Sequence, residues 1–182
     1  MARLRTLFIA PLVAACLAGA SAEISWKAYD SPPGRFTIQV PGLKPEEATE
    51  HNQSPLGQVD EHTLRWRSGE LEWVVEYTDV PDAATSFHGS ILFVEVRRGF
   101  QKTTGQPTQN EQNFKLGEYP GRTFEYSFAA KGMEIARAGV ARVFLVEQRL
   151  YVLTVTWDKP ALPADRGAAT HFFDSFKLAD LK

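Results

Sequence analysis

A long apolar hairpin near the C-terminus constrains this chain more than any other feature. Met133 to Val146 reads as one extended segment, Glu147-Gln148 turns the chain, and Leu150 to Trp157 returns with Tyr151, Leu153, Val155 and Trp157 along one side. Apolar residues recurring with a period of two specify β-strands. A hairpin this apolar has to be covered. The next segment supplies the cover: Pro163 stands where a helix's first turn tolerates a missing N–H, and Ala168, Ala169, Phe172 and Phe176 make an apolar stripe.

Upstream, the same alternation recurs. Ile24 to Asp30 and Arg35 to Val40 read as strands on either side of a Ser31-Pro32-Pro33-Gly34 turn, in which proline presets φ and glycine accepts positive φ. Pro41-Gly42 stops the second, and the polar stretch from Pro45 to Gly57 reads as an edge strand or a loop. Val59 to Trp66, a Ser68-Gly69 turn and Leu71 to Tyr77 form a hairpin; Leu71, Trp73, Val75 and Tyr77 share one face, and Glu70, Glu72 and Glu76 read as a solvated face opposite. Between Ser86 and Thr104 the pattern changes. Phe93, Val96 and Phe100 recur at helical spacing, Arg97, Arg98, Gln101 and Lys102 take most of the other face, and Gly105 sits where a helix would end. Phe114-Lys115-Leu116 reads as the end of a strand, Tyr119-Pro120-Gly121 as a tight turn, and Arg122 to Phe128 as a strand with Phe124, Tyr126 and Phe128 aligned. Lys131-Gly132 then turns into the apolar hairpin. Antiparallel strands with one central and one terminal helix predict an α+β domain whose helices pack on the sheet.

The first 22 residues stand apart. Basic Arg3 and Arg5, an apolar run from Thr6 to Gly19 and Ala20-Ser21-Ala22 before Glu23 have the form of a secretory signal peptide. That leaves a single domain over residues 23–182. The apolar run is shorter than the ~20 residues of a spanning helix. Val13-Ala14-Ala15-Cys16 also resembles a lipobox, which makes Cys16 a candidate lipidation site and leaves two outcomes open: a free periplasmic or secreted domain, or a lipoprotein tethered to the membrane. Cys16 is the only cysteine among 182 residues, so the mature domain has neither disulfides nor thiol chemistry. With Arg3 and Arg5 removed, 18 basic residues face 22 acidic ones, a net charge of −4. That balance argues against a general nucleic-acid binder. Membrane association is expected only through a lipidated Cys16.

Trp26-Lys27-Ala28-Tyr29, Gly34-Arg35-Phe36-Thr37-Ile38, Pro41-Gly42, Tyr77-Thr78-Asp79, Tyr119-Pro120-Gly121-Arg122, Arg149-Leu150-Tyr151 and Phe172-Phe173-Asp174-Ser175-Phe176-Lys177-Leu178 follow in an order and spacing that resembles the PsbP-like domains of exported bacterial proteins, many of them uncharacterised. The resemblance covers nearly the whole mature chain. It implies an α/β/α sandwich around a central antiparallel sheet, shared with a photosystem II extrinsic subunit and a Ran-binding nuclear import factor, and it brings no catalytic residues. This chain has Glu147-Gln148 in the last hairpin, where such domains place glycine or asparagine.

Residues that could carry chemistry are scattered. Zinc needs three or four converging ligands. The nearest two of His51, His62, His88 and His171 are eleven positions apart, and Asp60 with His62 on one strand face makes only two ligands. His171 and Asp174, one helical turn apart, read as a surface pair. No serine sits in a Gly-x-Ser-x-Gly turn and no glycine-rich loop follows a strand, so neither a catalytic residue nor a cofactor site is assigned. Basic residues cluster at Arg65 with Arg67 and at Arg97, Arg98 and Lys102. Trp66 between two arginines has a composition common at protein contacts, and Arg65, Trp66 and Arg67 are the candidate partner surface. The function expected is therefore an exported, non-enzymatic accessory or binding domain of the cell envelope, with an unidentified protein or envelope component as partner. The alternative is a small-molecule or metal carrier using the sheet face or a pocket under the central helix.

Overall fold

The computed structural model describes residues 24–42, 44–54, 57–81, 90–129, 136–160 and 163–179. The leader, Cys16, His88 and the Lys131-Gly132 turn lie outside these residues. The element order is β1 (Trp26–Ser31), β2 (Phe36–Pro41), β3 (Glu46–Ser54), β4 (Gly57–Ser68), β5 (Leu71–Asp79), α1 (Ser90–Thr104), β6 (Gln109–Leu116), β7 (Tyr119–Phe128), β8 (Arg137–Val146), β9 (Arg149–Asp158), α2 (Pro163–Ser175) and β10 (Lys177–Leu178).

Seven strands form one antiparallel sheet in the order β3-β4-β5-β9-β8-β7-β6, and β1, β2 and β10 form a second, three-stranded sheet. The apolar hairpin β8–β9 lies in the middle of the large sheet. β9 is buried from Arg149 to Trp157 because protein covers both of its faces, and an uncharged run of Leu, Val, Tyr and Thr suits that position.

Strand alternation sorts the core onto two faces. On one, Leu64, Trp66, Trp73, Val75, Tyr77, Phe144, Tyr151, Leu153, Val155 and Trp157 pack against Phe36, Ile38 and Val40 of β2 and against Ala168, Ala169, Phe172 and Phe173 of α2. Phe176, just past the helix, stacks on Phe36 at 5.1 Å and meets Phe144 and Tyr151 edge-on. On the other face, Phe124, Tyr126, Ala141, Val143, Leu150 and Val152 pack with Phe93 of α1, and Val96 and Phe100 pack beside it. The fold is α+β, with α1 as one outer layer, the large antiparallel sheet in the centre, and α2 together with the small sheet as the other.

Arg149 fastens the centre of the sheet to its rim. Its guanidinium donates to both Asp79 carboxylate oxygens, at 2.7 and 2.6 Å, and to the Pro33 carbonyl at 2.6 Å. These bonds hold the Asp79 carboxyl below its usual range, against a partial burial that works the other way.

Several turns depart from the sequence reading. In the Ser31-Pro32-Pro33-Gly34 turn positive φ falls on Arg35 (φ 54) and not on glycine. Gly34 is needed for space, since a Cβ there would lie 2.5 Å from the Phe36 ring. The β6–β7 turn is Gly117-Glu118, with Gly117 at φ +60, and Tyr119-Pro120-Gly121 already belongs to β7. Gly121 lies where a Cβ would meet the Val143 carbonyl at 2.5 Å. The stretch after Pro45 is the edge strand β3, and the polar stretch after Gly105 contains the edge strand β6. The predicted helix is present from Ser90 to Thr104, and Gly105 at φ +67 closes it by donating to the Gln101 carbonyl at 2.9 Å.

Candidate ligand-binding cleft

The face of the large sheet toward α1 is covered unevenly. Helix α1 rests on β7, where Phe100 meets Phe124 edge-on at 5.2 Å and Tyr126 at 4.9 Å. Beside it, over β5 and β9, a cleft of about 560 Å³ opens between helix and sheet.

Each element contributes through its periodicity. Val74, Leu150, Val152, Thr154 and Thr156 form the floor. Tyr126 and Phe128, stacked at an interplanar angle of 11°, form one wall, and Val96, Gly99, Phe100, Thr103 and Thr104 of α1 form the roof. Tyr126 lies over Gly139 of β8, where a Cβ would sit 2.6 Å from the phenol ring. Its hydroxyl shares a 2.7 Å hydrogen bond with the Thr156 hydroxyl, and burial pushes its pKa up to about 12.

The opposite wall is charged: Glu61 and Arg65 from β4, Glu72 and Glu76 from β5. Two of the carboxylates are engaged, and the Arg65 Nε is buried without a hydrogen-bond partner among the described residues. Asn52 donates to Glu61 at 3.0 Å. Glu72 accepts from Arg67 at 2.7 Å and lies 3.9 Å from Arg65. Glu76 forms neither a hydrogen bond nor an ion pair with any described residue, and the accessible part of its side chain faces the cleft. Burial first, then the negative charges of Glu61 and Glu50, raise its pKa to about 7, with Arg65 opposing.

The structure corrects the expected partner surface. Trp66 is 1% exposed, on the face opposite its two neighbours, where it meets Tyr29 edge-on at 5.3 Å. A strand sends consecutive side chains to opposite faces, so Arg65, Trp66 and Arg67 present no common surface. Arg65 lines the cleft; Arg67 is exposed and bonded to Glu72 and Glu46.

The other candidates divide among separate partners. His51 pairs with Asp60 at 2.6 Å, whereas His62 bonds Thr49 and stacks on Tyr77, and among the described residues no three metal-ligating side chains converge. His171 bonds Gln39 and lies against Trp26, while Asp174 pairs with Arg142. Arg97 and Arg98 are paired with Glu111 and Glu95.

Glu76 is the residue that alternation misassigned. The solvated-face reading of Glu70, Glu72 and Glu76 overlooked Val74, which interrupts that face and is buried. It also had no means of placing over them a roof that begins more than ten residues later.

The backbone as a whole superposes on a solved structure. The solution structure of cyanobacterial PsbP (CyanoP) from Synechocystis sp. PCC 6803 matches with a TM-score of 0.59 over 88% of this chain and 96% of that one, at 14% sequence identity. The chain has a PsbP-like fold. At that identity the likeness concerns the fold alone. A crystal structure from Bacteroides thetaiotaomicron overlaps more loosely, with a TM-score of 0.49 and 10% identity over 85% of this chain and 49% of that one. A Pseudomonas aeruginosa protein of unknown function gives 0.37 and 12% identity over 80% and 91%. Neither carries weight beside the first. No family model matches the chain and no curated protein matches it in sequence. No helix among the described residues is long and apolar enough to cross a membrane.

Proposed function

We propose that this PsbP-like chain is an exported, non-enzymatic accessory domain of the bacterial cell envelope that acts by holding a small molecule beneath α1. The observation that carries this reading is the cleft itself. An apolar floor, aromatic walls and a few polar groups at one end are the composition of a small-molecule site, and about 560 Å³ lies in the usual size range. Binding suits the charged wall better than catalysis does. A glycosidase needs two carboxylates free to flank one bond, whereas Glu61 and Glu72 are already engaged. Docking of a protein through Arg65, Trp66 and Arg67 loses its aromatic anchor, and this places the cleft ahead of a protein-contact surface. Export rests on the leader, with Glu23 or a lipidated Cys16 as the first mature residue.

Gly99 provides the test, because nothing lies within 4 Å of where its Cβ would be. Native mass spectrometry of the chain expressed with its own leader is expected to show one passenger per molecule, absent from Gly99→Phe, in which a ring fills the cleft. The same spectra report whether the mature chain starts at Glu23 or at Cys16. An identical passenger load in both proteins, or substrate turnover by the purified domain, overturns the reading.

A further inference from the structure

The charges around the cleft select among passengers. Of the three carboxylates on the charged wall, Glu72 is paired with Arg67 at 2.7 Å and lies 3.9 Å from Arg65, and Glu61 accepts from Asn52 at 3.0 Å, which leaves Glu76 as the one not engaged by a described residue. Glu76 stands without a hydrogen bond or an ion pair to any described residue, at the edge of a surface made by Val74, Val152, Val96, Phe100, Tyr126 and Phe128. A neutral passenger would leave that carboxylate unpaired when it displaced water, and burying an unpaired charge is costly. An anionic passenger would meet the Glu76 carboxylate with that of Glu61 beside it. A cation supplies what is missing, and the rings of Phe100, Tyr126 and Phe128 line the cleft for its apolar body.

We propose that the cleft is a site for a small organic cation, an ammonium group on an apolar body, with the ammonium on Glu76 and the body between α1 and the floor of β5 and β9. This rests on the reading of the cleft as a binding site and adds the chemical class of its occupant.

Protonation of Glu76 is coupled to binding. The groups around its carboxyl are Glu50 from β3, Glu61 and Arg65 from β4, Glu72 from its own strand and Tyr126 from β7. The described residues of β9 and α1 that line the cleft carry no ionisable side chain. With its pKa at about 7, Glu76 is largely protonated at pH 5.5 and ionised at pH 8.5. An alkylammonium, with a pKa near that of lysine (~10.4), stays charged throughout. Its affinity therefore rises with pH through 7 and then levels, with a limiting slope of about tenfold per unit on the acid side.

Isothermal titration with octylammonium, octanol and octanoate separates the outcomes, since the three share one body and differ in charge. Octylammonium is expected to bind at least tenfold tighter than octanol at pH 8, and to lose most of that advantage at pH 5.5. Glu76→Gln is expected to remove both the advantage and the pH dependence and to bind octanol, at either pH, as tightly as the parent does at pH 5.5, where Glu76 is protonated; that octanol binding shows that the variant is folded and its cleft intact. Equal binding of all three, or a preference for octanoate, sinks the cation assignment and leaves the cleft as a site. Absence of binding by all three, with Val96 and Val152 methyl resonances unmoved, sinks both.

Discussion

Glu76 is the residue at which function and stability pull apart. Its carboxyl has a pKa of about 7 in the folded protein against an ordinary 4.5, chiefly through burial. A raised carboxylate pKa means that the native state holds its proton more tightly than the unfolded chain does. The contribution of Glu76 to stability therefore declines as pH rises from about 4.5 through 7 and is level above that. Glu76→Gln removes the ionisable group, so the variant is expected to gain on the order of 2–3 kcal/mol over the parent at pH 8 and almost nothing near pH 4. Urea denaturation at both pH values checks this; a parent as stable as the variant at pH 8 would show that the carboxylate is better solvated than its surroundings indicate. Glycines matter here for a different reason. Gly139 leaves the space across which Tyr126 lies, and that placement makes the phenol ring a wall of the cleft.

Among the elements, the β8–β9 hairpin and α1 show local chemistry at odds with its place. The turn at Glu147-Gln148 holds Glu147 at φ 53. A side chain in that region costs about 1–2 kcal/mol, and the exposed 3.9 Å pair with Arg35 returns little. Glu147→Gly is expected to stabilise the protein by about 0.5–1 kcal/mol, visible as a higher urea midpoint with an unchanged slope. Gly99 sits inside α1, where glycine costs about 1 kcal/mol relative to alanine, and has no packing partner that demands it. Gly99→Ala is expected to raise the melting temperature and to slow hydrogen exchange in α1; a lower melting temperature would mean that the helix needs the glycine's freedom. Gly99 at the roof leaves open the space a passenger would occupy.

At the scale of the whole molecule, the two faces of the large sheet have different tasks. The face under α2 is closed by interlocked aromatic rings, with Phe172 fully buried. Phe172→Ala is expected to cost about 3–5 kcal/mol, whereas α1, with Phe93 as its one buried residue, is held more loosely. Amides of α1 are therefore expected to exchange at least tenfold faster than those of β9, and equal protection in the two would contradict this division. Much of the arrangement was legible in the sequence. Alternation placed Trp73, Val75 and Tyr77 on one face, helical spacing found Phe93, Val96 and Phe100, and the motifs running from Trp26 to Leu178 pointed to the PsbP-like sandwich. These are local regularities, and neighbouring residues are enough to express them. The turns were read less well, because Gly34 and Gly121 answer to the Phe36 ring and the Val143 carbonyl, groups that the fold brings near. The site was not legible. Two arginine neighbours made Trp66 pass for a surface residue, and alternation, which states which way a side chain points but not what lies there, made Glu76 pass for a solvated one. Only the tertiary structure decided these, by laying β1 and β2 over the first and α1 beside the second, because burial is a property of what covers a strand and not of the strand's own sequence.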